Sequence, residues 1–190
     1  DSLLLEVWTE SLIEKSAAVT VKRASFIKEF SEPFRAAYRS IAGDAETAEI
    51  HYYPRSIRDM SFIHSGEVRL DDVKAAYHHK AAELKNQEIM RGMTLFGAQK
   101  DDLVFTVNGG LAREAASQGQ HKSLLIALKQ TEYHYLTMQR DEKPILLLDD
   151  VFGELDKKRV ENVMSLITDQ RSQTFIASPE TENIAKVLQG

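Results

Sequence analysis

Two carboxylates stand side by side at Asp149-Asp150, directly behind the apolar run Pro144-Ile145-Leu146-Leu147-Leu148. Such a run predicts a strand, and groups at the carboxyl end of a strand in an open α/β sheet face the edge where ligands bind. Adjacent ionised carboxylates repel and are costly to desolvate unless a cation or strong donors meet them. One carboxylate holding magnesium through its water shell, and the next polarising a water, is what nucleotide hydrolysis needs. An isolated Asp-Asp is more often a solvated strand end or a helix cap. The pair therefore needs company to mean more.

Upstream, Ser117-Gln118-Gly119-Gln120 opens a predicted helix. A helix N-terminus offers unpaired N–H groups and a partial positive charge, and a serine hydroxyl beside a glycine lets a γ-phosphate come close. Alone, such a tetrapeptide is more often a plain helix cap. The interval of about thirty residues to Asp149-Asp150 fits one crossover helix between two parallel strands. No Gly-x-x-x-x-Gly-Lys-Ser/Thr loop occurs, and Gly119-Gln120-His121-Lys122-Ser123 is not one, having no earlier glycine at the right interval. Without that loop the β- and γ-phosphates have no cradle. The chain alone is expected to be a poor ATPase.

The elements that must position these residues can be read from periodicity. Leu5, Trp8 and Leu12 share one helical face, and Phe26, Phe30, Phe34, Ala37, Tyr38 and Ile41 another, which predicts two packed helices. Pro33 is expected to kink or restart the second, with Ser31 as a new N-cap, and Gly43-Asp44 to end it. Residues 48–53 alternate like a strand, and Val73, Tyr77, Ala81, Leu84 and Glu88 trace a helix starting after Asp71-Asp72. From about Met90 glycines punctuate the chain around a strand at 103–107. The order is then strand, helix, strand, helix, strand, helix, with residues 145–148 apolar on both faces, as in a strand covered from both sides.

Composition narrows the setting. With 190 residues and 43% hydrophobic content the chain can bury a real core. It has no cysteine, which excludes disulfides and zinc ribbons and is compatible with a cytoplasmic place. The net charge of −5 argues against bulk attraction to nucleic acid. No run is apolar enough to span a membrane. The start at Asp1-Ser2-Leu3, without an initiator Met, reads as a piece of a longer protein.

Residues 148–156, Leu-Asp-Asp-Val-Phe-Gly-Glu-Leu-Asp, resemble the Walker B and D-loop stretch of ABC-type ATPases, and Ser117 to Gln120 resembles their signature motif. Together with Asp101-Asp102-Leu103-Val104-Phe105 and Ala116 to Ser123, the wording is similar to the RecF family of ABC/SMC-type DNA-repair ATPases. The resemblance is specific over 91–180 and weaker before. It implies an α/β fold: a mainly helical arm domain over 1–90, and over 91–190 the C-terminal lobe of an ABC-type ATPase head. It also implies ATP-dependent homodimerisation, DNA binding, and assistance to RecA loading at gapped DNA with RecR and RecO mediators. ATP and Mg2+ are then the full-length protein's ligands, with none held tightly by this chain alone.

By that resemblance Asp149 takes the magnesium shell and Asp150 orients or deprotonates the attacking water. Ser117, Gln118, Gly119, Gln120 and Asp156 act on ATP held by the other subunit, and Lys100, Asp101 and Asp102 lie near the nucleotide. Gly97-Ala98-Gln99-Lys100 stands where the family has Gly-Pro-His-Arg, so the family's histidine is absent. Lys28, Arg35 and Arg39 share a helix side and could touch DNA phosphates, although a solvated face explains them better. Lys157-Lys158-Arg159 at a helix start opposes the dipole. The histidines lack ligand spacing, and Trp8 is expected to be packing. The rival readings are an SMC-like or other ABC regulatory ATPase half, and a non-catalytic docking module. A phosphohydrolase using Asp149 and Asp150 alone would not need Ser117 to Gln120.

Overall fold

The computed structural model describes residues 2–57, 68–140, 143–169 and 173–178. The elements are α1 (Ser2–Ala42), β1 (Ala48–Tyr53), α2 (Leu70–Arg91), a 3-10 turn (Ala98–Lys100), β2 (Asp102–Val107), β3 (Gly110–Leu111), α3 (Ala112–Ala115), α4 (Gln118–Gln139), β4 (Leu146–Asp149), α5 (Lys157–Asp169) and β5 (Thr174–Ala177). One sheet has the order β1-β2-β3, and β4 pairs with β5 in another.

The chain forms two compact units that interleave along the sequence. The first takes 1–29 and 51–104, the second 30–50 and 105–190. This differs from a single cut near residue 90, which stays an assignment by resemblance.

In the first unit Ile13 and Ala17 of α1 pack with Ile57, Val73, Tyr77 and Phe96. Tyr77 is fully buried, so its hydroxyl needs a partner and finds Thr20 Oγ1 at 2.9 Å. In the second unit Phe34, Tyr38 and Ile41 are each fully buried, Phe34 edge-on to Phe105 at 5.8 Å between ring centres. Leu124, Ile126 and Ala127 of α4, Leu146 and Leu148 of β4, and Val163, Met164 and Ile167 of α5 are also buried there.

Five expectations change. Ser2–Ala42 form one helix, with Pro33 inside it and exposed. Ser31 does not restart the helix: its hydroxyl donates to Ile50 O at 3.4 Å. The buried side chains on both sides of Pro33, Phe30 and Phe34, hold the helical path that the proline weakens. Trp8 is 66% exposed, beside exposed Leu4, Leu5 and Val7, so it is not packed among the described residues, whereas Leu12 on the same face packs against the core of the first unit. β4 is buried on one face: Leu146 and Leu148 point in, while Ile145 and Leu147 are 57% and 69% exposed. Lastly, β2 pairs antiparallel with β3, and the parallel partner of β4 is β5, Leu146 opposite Thr174 through Asp149 opposite Ala177. The stretch from β2 through α4 to β4 therefore does not join two parallel strands of one sheet. The closing helix expected after Ala177 lies outside the described residues.

Candidate functional site

Ser117 is the N-cap of α4 in a reciprocal capping box. Its hydroxyl accepts from Gln120 N at 3.2 Å, and Gln120 Oε1 accepts from Ser117 N at 2.9 Å. Two of the helix's orphan donors are thereby satisfied locally. The tetrapeptide is thus a helix cap, and its side chains stay at the surface.

One turn along, the helix meets the segment that follows β4. A Cβ on Gly119 would sit 2.9 Å from Glu154 O, closer than packing allows. Lys122 Nζ donates to Asp150 O at 2.6 Å. Asp150 adopts φ 47°, a left-handed conformation that Asp tolerates better than most side chains. Its N–H donates to Ala177 O at 2.8 Å, so β5 and Lys122 hold this residue through the peptides on its two sides. Both Asp149 and Asp150 are exposed at the carboxyl end of β4. Leu155 N donates to Phe152 O at 3.0 Å, closing the turn that carries the chain to α5.

Asp156 caps α5. Its Oδ1 accepts Arg159 N at 3.0 Å, and Arg159 Nε reaches its Oδ2 at 3.2 Å. The same guanidinium donates to Ser123 Oγ at 2.8 Å and to Glu46 Oε1 at 2.5 Å. Burial works against the charge of Arg159, but Glu46 and Tyr38 more than offset it and raise its pKa. Tyr38 donates to the other oxygen of Glu46 at 2.8 Å, and burial, then Glu46, pushes its hydroxyl well above the ordinary tyrosine range.

The structure therefore brings Ser117, Gln118, Gly119, Gln120, Asp149, Asp150 and Asp156 into one unit, the first turn of α4 meeting the backbone at Asp150 and Glu154. Lys100, Asp101 and Asp102 belong to the other unit, and the two carboxylates have partners within it. The Asp101 side chain is 1% exposed, accepts from the Tyr52 hydroxyl, and pairs with Arg23 at 3.3 Å. Arg23 also donates to Ala98 O at 2.6 Å. Burial raises the Asp101 carboxyl above the usual range, with Tyr52 and Arg23 pulling it back. Asp102 pairs with Arg55 at 2.9 Å. Arg35 pairs with Glu32 and Glu49, and Arg39 with Asp44, so these cations sit on a surface already matched with acids.

Sequence reasoning missed Arg159, Glu46, Tyr38 and Lys122 as parts of the site. Arg159 stood in a charge run, and its spacing of three from Asp156 was a readable capping signal. Its pairing with Glu46 spans 113 residues and left no local trace. Among the described residues no cluster of three or more His, Cys, Asp or Glu could hold a metal. One exposed carboxylate is nevertheless the donor set that magnesium takes when phosphates and waters fill its remaining positions, so Asp149 fits such an ion.

No family model matches the chain. Among curated proteins it is 37% identical over 187 residues to the DNA replication and repair protein RecF of Chloroherpeton thalassium, covering 97% of the chain and 49% of that protein. It is 35% identical to RecF of Halothermothrix orenii, covering 98% of the chain and 48% of that protein. The chain thus spans about half the length of these relatives. A solved structure described as the recombination mediator protein RecF-ATPrS in the RecFOR pathway superposes with a TM-score of 0.77 at 24% identity, over 97% of the chain and 47% of the other. The corresponding RecF-ATP structure gives 0.71 at 23% identity, over 94% and 46%.

Proposed function

From a chain that is RecF-like along nearly its whole length and fits the C-terminal half of that α/β, ABC-type ATPase, we propose the ATP-sensing and ATP-firing half of a DNA-repair switch. Ser117 and Gly119 act as the signature turn, contacting the γ-phosphate of ATP held by a second subunit. Asp149 holds the magnesium shell, Asp150 orients or deprotonates the attacking water, and Asp156 reaches across the dimer. DNA, a second copy and the RecR and RecO mediators are the partners, RecA loading at gapped DNA the outcome, and the cytoplasm the place. The chain has no phosphate-cradling loop, so it is not expected to turn ATP over by itself.

The observation that carries this reading is the contact of the Ser117 turn with the Asp150–Asp156 segment, made through Gly119 against Glu154 O and Lys122 on Asp150 O. Two motifs that serve one nucleotide reaction should be held at a fixed spacing, and here a close approach of helix to backbone and a lysine side chain hold them. In a full-length protein carrying this chain, Asp150→Asn should lower ATP turnover by roughly a hundredfold, the scale of losing a general base, while ATP-dependent dimerisation, followed by light scattering, persists. Equal loss of both would contradict the assignment.

A further inference from the structure

Arg159 is anchored more heavily than a helix cap requires. Its Nε and backbone N take the two oxygens of Asp156, at 3.2 and 3.0 Å. One terminal nitrogen donates to Ser123 Oγ at 2.8 Å, and Ser123 in turn donates to Gly119 O at 2.8 Å. The other donates to Glu46, which is fixed by the fully buried Tyr38. The arginine side chain is only 13% exposed, and Glu46 only 19%. A continuous line of hydrogen bonds thus runs from the Asp156 carboxylate through Arg159 and Ser123 to the backbone of the Ser117–Gln120 turn. A guanidinium can serve three acceptors in fixed directions, which an ammonium cannot.

We propose that Arg159 is a positioning residue that fixes Asp156 relative to the Ser117 turn, so that both meet the other subunit's nucleotide as one rigid piece. This rests on the reading that the two groups act across a dimer. Glu46 and Tyr38 are the clamp that stops the guanidinium from swinging to solvent.

Arg159→Lys in the full-length protein keeps the charge and removes the fork. ATP turnover should fall at least tenfold while the thermal midpoint stays near that of the unaltered protein. The deciding readout is mixing. An Arg159→Lys subunit has intact Asp149 and Asp150, and an Asp150→Asn subunit has an intact Asp156 and Ser117 turn. The mixed dimer therefore holds one complete site, and mixing the two impaired proteins should restore turnover. Glu46→Gln, which loosens the clamp without touching Asp156, should show the same recovery in case the lysine variant folds poorly. Unchanged turnover in both variants, or impaired turnover with no recovery on mixing, overturns the proposal, because a purely structural or same-subunit role gives no complementation. Ser117→Arg serves as the control. If it still dimerises on ATP, the reading beneath fails; if it does not, and mixing gives no recovery, only the role of Arg159 fails.

Discussion

At position 119 two ordinary preferences oppose each other. In the first turn of a helix, alanine is favoured over glycine by up to about 1 kcal/mol. The added methyl, however, would lie 2.9 Å from Glu154 O, a backbone atom that moves only if its turn moves. Overpacking of that kind costs about 1–3 kcal/mol, so Gly119→Ala should lower the thermal unfolding midpoint. A raised midpoint would show that the turn yields freely. Asp101 offers a second measurement at this scale. Its native carboxyl is raised by burial, so the folded state keeps a proton at pH values where the unfolded state has released it. Its contribution to stability is full at acid pH, declines as pH rises above the ordinary carboxylate range of about 4, and levels off once the native group has ionised. Asp101→Asn should remove this decline in urea unfolding series taken upward from pH ~4. A decline of the same size in the variant would remove Asp101 as its source. The sequence marked Asp101 by type and place. Its enclosure by Tyr52 and Arg23 depends on contacts 49 and 78 residues away, which no local pattern encodes.

Helices were legible where one face repeats and a glycine ends the pattern. Gly43 at φ 84° donates to Arg39 O and closes α1, and Gly92 at φ 62° is the left-handed cap that closes α2. Pro33 misled because proline's cost is local and the gain that overrides it is tertiary, in buried Phe30, Phe34 and Tyr38. That cost should be measurable. An internal proline weakens a helix by about 3 kcal/mol, against roughly 0.4–1 kcal/mol it returns by restricting the unfolded chain. Pro33→Ala removes no buried contact, since Pro33 is exposed. It should therefore stabilise the protein, read as a higher midpoint in guanidinium; an unchanged or lower one would mean the helix has adapted to the ring. Strand pairing was less legible than strand position. The apolar run at 145–148 announces β4, yet its alternating burial and its pairing with β5 are set by which neighbours the fold supplies.

At the scale of the molecule, the chain accounts for about half of the RecF proteins it matches, and its motifs divide the same way. It carries the carboxylates and the Ser117 turn, and no phosphate-cradling loop. The tests with Asp150→Asn and Arg159→Lys therefore belong to a full-length protein, since they rest on the proposal that each site is assembled from two chains. The wording of residues 101–105, 116–123 and 146–156 was enough to name the family before any coordinates. The Arg159 clamp that joins the two motifs was not readable, because it closes through Glu46 and Tyr38 from the far end of the sequence.

The capping box at Ser117 has a further consequence. A serine hydroxyl has one proton to give and two lone pairs to receive with. Here it receives, from Gln120 N, so its proton stays available to an anion. The loop is also already ordered by that bond and by the return bond from Gln120. On the proposed reading, arrival of a phosphate orders no part of this turn, and no entropy of loop closure is subtracted from the affinity. Discrimination between ATP and ADP at this turn then falls on contacts made to the last phosphate itself.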